Sequence, residues 1–366
     1  MWRRLVTLMR FDRPNLKLRP LKPRPAPAVT GLAETAFDPN PGNLRMFRYL
    51  PRGLKPGAPL VVTLHGCGQT AGGYDLGTGW CQLADQLGFA VLAPEQKAVN
   101  NPHTCFDWFN PEDITRDSGE AASIAAMVRT MVATHRLDAG RVFITGLSAG
   151  GAMTAVMLAT YPELFAGGAI IAGLPFGAAQ NVRDALESMR SAPLRTPSQW
   201  GDMVRAASPY KGPWPRMSIW HGALDATVNI NNAQALAAQW ADLQGLSVTD
   251  AQQELVHGAV RLSWGEQLEV YTMPMLGHGT PIDSGDVGQP GPFILEAGIS
   301  SSRRIAEFWG LATRSLQRAE PRPSALPEIE VTLTAANSAP SDDNPGQSKA
   351  EKLIWRALKA AGLVRR

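Results

Sequence analysis

Apolar residues in this chain fall in two kinds of run, and the two kinds alternate. Short runs that are apolar at nearly every position read as strands covered on both faces: residues 59–64, 89–92, 142–145, 168–172 and 217–220. Residues 44–50 and 268–271 read as further strands. Longer stretches carry apolar side chains at helical spacing. In 118–135 these are Ile124, Met127, Val128, Met131 and Val132; the others are 151–161, 231–243 and 299–311. Strand and helix in alternation predict an α/β fold, with a mostly parallel central sheet, right-handed crossovers and helices on both faces. Residues 174–215 break the alternation. They read as an irregular insertion carrying Trp200, Tyr210 and Trp214, in a place where lids and substrate walls are commonly built.

The same pattern sets the domain limits. Over 1–30 the chain is rich in Pro, Arg and Lys, and reads as an extended arm whose first residues, Trp2 to Phe11, have the spacing of a basic amphipathic helix. The folded domain is expected over 31–312. From 313 to 348 the chain turns to Pro, Ser, Asn, Asp and Ala, which is the composition of a disordered linker. Residues 349–366 read as a basic amphipathic helix with Leu353, Ile354, Ala357, Leu358 and Ala361 on one face.

Hydrophobic content of 44% and charged content of 18% over 366 residues fit a globular core. The formal charge of +3 is too small to imply a nucleic-acid partner. It is concentrated at the two ends and leaves the middle net acidic. Those ends could touch an anionic granule or membrane surface peripherally; solvated tails are the alternative. No apolar run approaches the ~18 residues of a membrane span, and no clear signal peptide opens the chain. With Cys67, Cys81 and Cys105 the chain could hold one disulfide and one thiol, or stay reduced. No Cys/His cluster has zinc-site spacing, so neither metal nor cofactor is expected.

The candidate chemistry sits where a strand ends in a tight turn. Gly146-Leu147-Ser148-Ala149-Gly150 fits G-x-S-x-G between the 142–145 strand and the 151–161 helix, which is the setting that exposes a serine Oγ as a nucleophile. Such a serine needs a base, and the base needs an orienter, in the chain order serine, acid, histidine. His257 and His278 are the two histidines late enough. His278 lies in the Gly-bounded loop Gly277-His278-Gly279 after a strand, whereas His257 suits a surface turn. Asp225 follows the 217–220 strand in a short loop; Asp202 and Asp242 read better as insertion and helix-surface residues. Two backbone N–H groups are needed for an oxyanion. Ala149, after the nucleophile, is one candidate, and Cys67 in the loop His65-Gly66-Cys67-Gly68 is the other.

Five segments in matching order carry a resemblance. They are Leu64-His65-Gly66-Cys67-Gly68-Gln69, Cys105-Phe106-Asp107-Trp108-Phe109, Gly119 to Ile124, Gly146 to Gly151, and Gly277 to Pro281. Over about 31–312 the chain resembles the polyhydroxybutyrate depolymerase family of esterases. The resemblance implies an α/β-hydrolase fold, a Ser148–Asp225–His278 triad, and hydrolysis of short-chain polyhydroxyalkanoates or their oligomers. Feruloyl and acetylxylan esterases are relatives, so the substrate stays open between polyesters and plant-wall acyl groups. A polymer-binding module without catalysis is a further alternative. The resemblance also implies a Cys67–Cys105 disulfide, a free buried Cys81, and an extracellular enzyme, although the absence of a clear signal peptide leaves an intracellular one open. His65, Gly66 and Trp108 are expected beside the substrate.

Overall fold

A computed structural model of the chain describes residues 31–312. The segments expected as an arm over 1–30, a linker over 313–348 and a helix over 349–366 lie outside the described residues. The strands are β1 (Ala33–Glu34), β2 (Arg45–Tyr49), β3 (Leu60–Leu64), β4 (Ala90–Glu95), β5 (Val142–Leu147), β6 (Gly167–Ile171), β7 (Arg216–Gly222), β8 (Gln252–Val256), β9 (Ala259–Trp264), β10 (Leu268–Met273), β11 (Thr280–Ile282) and β12 (Ile294–Glu296). The helices are α1 (Ala71–Thr78), α2 (Trp80–Leu87), α3 (Pro111–Ile114), α4 (Gly119–His135), α5 (Ala149–Thr160), α6 (Val182–Arg190), α7 (Pro197–Ala206), α8 (Asn231–Gln244) and α9 (Ser301–Phe308).

Ten strands form one sheet in the order β1-β2-β4-β3-β5-β6-β7-β10-β9-β8. The inner six, β4 to β10 in that order, pair in parallel, and the pairs at both edges are antiparallel. Alternate side chains of each inner strand feed opposite cores, because successive Cβ atoms point to opposite faces. Thus Leu60, Val62 and Leu64 of β3 join one core with α4, α5 and α8, while Val61 joins the other with α2 and α9. Every residue of β3, β5 and β6 is buried, as expected of a parallel sheet covered on both sides.

The insertion over 174–215 is more ordered than its sequence suggests. It contains α6 and α7, the latter opened by a capping box between Thr196 and Gln199. Trp200 is not a substrate wall. It is 2% exposed, and its carbonyl accepts the Gln239 amide of α8. The same side chain donates to the Phe176 carbonyl and accepts from the Phe176 N–H, so one buried glutamine stitches the insertion to α8.

The inner strands all run the same way, so their carboxyl ends lie along one edge. His65 directly follows β3, Ser148 directly follows β5, and Asp225 and His278 lie in the loops after β7 and β10. Residues more than 200 apart in sequence are brought together in this way, at the edge where open α/β sheets bind ligands.

Candidate active site

Ser148 sits between β5 and α5 with φ 56° and ψ −117°, a strained conformation for a residue with a side chain. The turn is tight enough to exclude side chains around it. A Cβ on Gly146 would lie 2.3 Å from the Gly150 carbonyl oxygen, and one on Gly150 would lie 2.3 Å from that of Leu64. Those contacts are with backbone, which cannot swing aside, so glycine is required on both sides of the serine. The strain presents Oγ beyond the sheet edge, with the amino end of α5 behind it.

The His278 Nε2 lies 3.0 Å from Ser148 Oγ, and its Nδ1 lies 2.7 Å from Asp225 Oδ2. The structure therefore brings Ser148, His278 and Asp225 into one hydrogen-bonded chain. The Asp225 side chain is wholly buried and that of His278 is 8% exposed. Burial alone would raise the Asp225 carboxyl. Hydrogen bonds from His221 and His278 outweigh it and hold the group below the usual carboxylate range. Its other oxygen, Oδ1, accepts the N–H groups of Thr227 and Val228, both at 2.8 Å. An ionised Asp225 accepts at Oδ2, so His278 carries its proton on Nδ1 and turns a bare Nε2 toward the serine. His257, the competing histidine, has φ 49° in the exposed β8–β9 turn, next to Arg304.

The loop after β3 is held by its own side chains. The Gly66 carbonyl accepts from His65 Nδ1 at 2.8 Å and from the Gln69 N–H at 3.2 Å. The Gly66 N–H donates to Gln69 Oε1 at 2.8 Å, and Gln69 Nε2 reaches across to the Pro292 carbonyl at 3.0 Å. In a trans peptide the carbonyl and the following N–H point opposite ways. Fixing the Gly66 carbonyl therefore fixes the Cys67 N–H pointing away from His65. Neither the Cys67 N–H nor the Ala149 N–H has an acceptor among the described residues. Both are left available to an incoming oxygen.

Three expectations about substrate contacts are corrected by burial. His65 is 0% exposed. Its Nε2 accepts the Gln96 N–H, so its single proton is on Nδ1, and burial pushes the imidazole down to about 4. It is a neutral residue that shapes the loop, not a substrate contact. Gly66 has both polar backbone groups engaged within the loop. Trp108 is 7% exposed and packs into the core with its ring edge on Phe109. By contrast Phe293, half-exposed at φ 60°, sets its ring edge-on to His278 at 5.8 Å. Sequence reasoning missed Phe293, Gln69 and His221. For Phe293 no local signal exists, since only the fold brings it to His278. For His221 the signal was its spacing, four residues before Asp225 at the end of a strand.

Cys67 and Cys105 form a disulfide, with Cα atoms 4.2 Å apart, and Cys81 is a buried free thiol. The bridge ties the β3 loop to the segment before Phe106 and Trp108. Asp107, Asp113 and Glu120 converge behind that segment, with carboxyl oxygens within 4.8 Å of one another.

Residues 44–261 match the model of a protein family described as esterase PHB depolymerase. The chain belongs to that family. It is similar to poly(3-hydroxyalkanoate) depolymerase C of Paucimonas lemoignei, at 44% identity over 285 residues, which is 75% of this chain and 69% of that protein. It is also similar to an acetylxylan esterase of Coprinopsis cinerea, at 36% identity over 70% of each chain. Among solved structures it resembles an acetyl xylan esterase from Aspergillus awamori, with a TM-score of 0.68, 27% identity, and coverage of 77% of this chain and all of that one. The fold is that of the α/β-hydrolase esterases, and the chain is a carboxylic ester hydrolase. The family match ends before His278, and the geometry places that residue in the site.

Proposed function

We propose that this esterase hydrolyses the ester bonds of short-chain polyhydroxyalkanoates, or of oligomers cut from them, with Ser148, His278 and Asp225 as its catalytic residues. The observation that carries the reading is the hydrogen-bonded chain Ser148 Oγ–His278 Nε2 at 3.0 Å and His278 Nδ1–Asp225 Oδ2 at 2.7 Å. In this reading Ser148 Oγ attacks the ester carbonyl as His278 Nε2 takes its proton. The developing oxyanion is met by the N–H groups of Cys67 and Ala149. Collapse expels the alcohol, protonated by His278, and leaves an acyl group on Ser148. Water, deprotonated by the same imidazole, releases the acid. Buried Asp225 stays ionised throughout and stabilises the imidazolium.

The choice of polyester is supported by the 44% identity to a poly(3-hydroxyalkanoate) depolymerase. A second reading, an acetylxylan or feruloyl esterase, is favoured by further relatives, among them the feruloyl esterase B of Neurospora crassa at 32% identity over 78% of this chain. Side-by-side hydrolysis of polyhydroxybutyrate film, its soluble oligomers, acetylated xylan and methyl ferulate separates them. The expected result is release of 3-hydroxybutyrate from film or oligomers well above turnover of either plant-wall ester. Faster turnover of acetylxylan or ferulate than of both polyester forms contradicts it.

The basic ends are part of the same proposal, as peripheral contacts with a granule or membrane surface. Full-length protein should co-sediment with granules or anionic vesicles at low salt, and a 31–312 fragment should not. Equal sedimentation refutes the contact.

A further inference from the structure

Asp225 is faced by two imidazoles, and the proposed chemistry uses one of them. The second belongs to His221, the penultimate residue of β7 and 2% exposed. Its Nε2 lies 2.8 Å from the Val228 carbonyl oxygen and 3.4 Å from Asp225 Oδ2. A carbonyl can only accept, so His221 Nε2 carries the proton. His221 Nδ1 is then without one, and it has no partner among the described residues. The ring is thus fixed in one tautomer, with its single N–H directed at the 225–228 turn.

That turn is closed from both sides. Asp225 Oδ1 accepts from the N–H groups of Thr227 and Val228 at 2.8 Å, and the Val228 carbonyl is held by His221. Oδ2 faces His278 Nδ1 at 2.7 Å, with His221 Nε2 behind it at 3.4 Å. The only other freedom of a buried aspartate is rotation of its carboxylate about χ2. Such rotation would exchange the two oxygens and take Oδ2 off His278. With donors on both oxygens, three of them on rigid β7 or turn backbone, it is opposed at each end.

We propose that His221 is a positioning residue, whose fixed Nε2–H is shared by the Val228 carbonyl and Asp225 Oδ2 and thereby holds the carboxylate in register with His278. His221 touches neither substrate nor Ser148. It acts through Asp225, and its role rests on the reading of Ser148, His278 and Asp225 as the catalytic residues.

Two substitutions of equal polarity separate this role from mere filling of space. In His221→Gln the side-chain amide nitrogen falls near the place of Nε2, so a donor to Val228 and Asp225 is kept. In His221→Asn the amide falls near Nδ1, and the donor is lost. With p-nitrophenyl butyrate, His221→Asn should lower kcat about tenfold to a hundredfold with KM within about twofold, the scale of a lost hydrogen bond to a charged group. His221→Gln should recover most of the loss. The rate of fluorophosphonate labelling should follow kcat. In an Asp225→Asn background the His221→Asn change should cost less than about twofold, because no carboxylate remains to be held. Full kcat in folded His221→Asn overturns the proposal. So does an equal loss in both variants that adds to the loss in Asp225→Asn. If His221→Asn does not fold, His221→Gln alone decides: kcat near wild type supports a held donor, and a hundredfold loss with unchanged melting temperature overturns it. A Ser148→Ala control tells the two readings apart. Activity surviving there removes the site itself, whereas an inactive Ser148→Ala beside a fully active His221→Asn removes only the role of His221.

Discussion

Two buried carboxyl groups, Asp225 and Glu120, are shifted in opposite directions. Asp225 is 8% exposed and Glu120 is 2% exposed, so burial presses both toward the neutral acid. Around Asp225 stand two imidazoles and two backbone N–H groups, and its pKa falls. Around Glu120 stand the carboxyl groups of Asp107 and Asp113. It accepts the Gln96 side-chain amide and the Asp107 N–H at 3.0 Å, yet burial first, and then those two acids, raise it well above the ordinary value. Four donors, two of them imidazoles, surround Asp225, whereas two donors and two further carboxyl groups surround Glu120. A carboxylate kept ionised suits the partner of a histidine that must become positive. Glu120, raised above the ordinary carboxylate value, belongs to a structural knot: through Gln96 and Asp107 it braces the segment that the disulfide joins to the β3 loop.

Substitutions that fix each group in one charge state test the contrast, and the largest effect is expected at Asp225. Asp225→Asn should cost about four orders of magnitude in kcat through the wrong imidazole tautomer. Glu120→Gln copies the neutral form, and should keep kcat within about threefold, since charge there has no part in the chemistry. Steady-state kinetics on one soluble ester checks both. Comparable losses in the two variants would erase the contrast.

Next in size is the disulfide between the β3 loop and the segment before Phe106. Removing the disulfide as Cys67→Ser/Cys105→Ser frees a loop with a sequence separation of 38. The chain-entropy scale for this is about 4 kcal/mol. Denaturant melts should show that loss together with a lower kcat, because Cys67 also carries the proposed oxyanion donor. A smaller effect is expected at Gln69, whose side chain holds Gly66 on one side and Pro292 on the other. Gln69→Ala should lower kcat about tenfold, less than loss of an oxyanion donor itself. An unchanged kcat would mean that His65 and the disulfide hold the peptide without it.

The pH dependence of stability is the finest test, and its sign follows from the direction of each shift. His65 is pushed down to about 4, so as pH falls below ~6.5 the unfolded chain takes up a proton that the folded chain refuses, and stability declines. Asp225, lowered, adds stability that is present above ~3.9 and is lost as pH falls further. Glu120, raised, works the other way: its contribution is full below ~4.3 and is lost as pH rises through its folded value. Glu120→Gln should remove the part of the decline in stability that begins above ~4.3. Urea melts from pH 4 to 9 measure this, and a slope above ~4.3 that Glu120→Gln leaves unchanged would contradict the raised pKa of Glu120.

Much of this architecture is legible in the sequence, because most of the parallel strands are apolar at nearly every position and their carboxyl ends must share an edge. That rule alone places Ser148, Asp225 and His278 near one another. The misses have physical causes. The β8–β9 hairpin escaped notice because β8 is exposed along most of its length and lacks an apolar signature. Helix α6 is mostly polar, with two buried residues, Ala185 and Ser188, so its segment resembled a loop. His65 and Trp108 were expected beside the substrate because both lie in site-forming loops. Sequence cannot tell which way a loop side chain turns, and both turn inward. Gln69 and His221 act through contacts across space or across a turn, which composition and periodicity do not encode.

The proposed function turns on Ser148 as the nucleophile, activated by His278. Labelling with a fluorophosphonate, followed by intact-mass analysis and peptide mapping, tests it directly. The expected result is one phosphonyl group per chain, carried on Ser148, loss of esterase activity in proportion to labelling, no adduct in Ser148→Ala, and strongly slowed labelling in His278→Ala. An adduct on another residue, or esterase activity that persists in fully labelled protein, would contradict it.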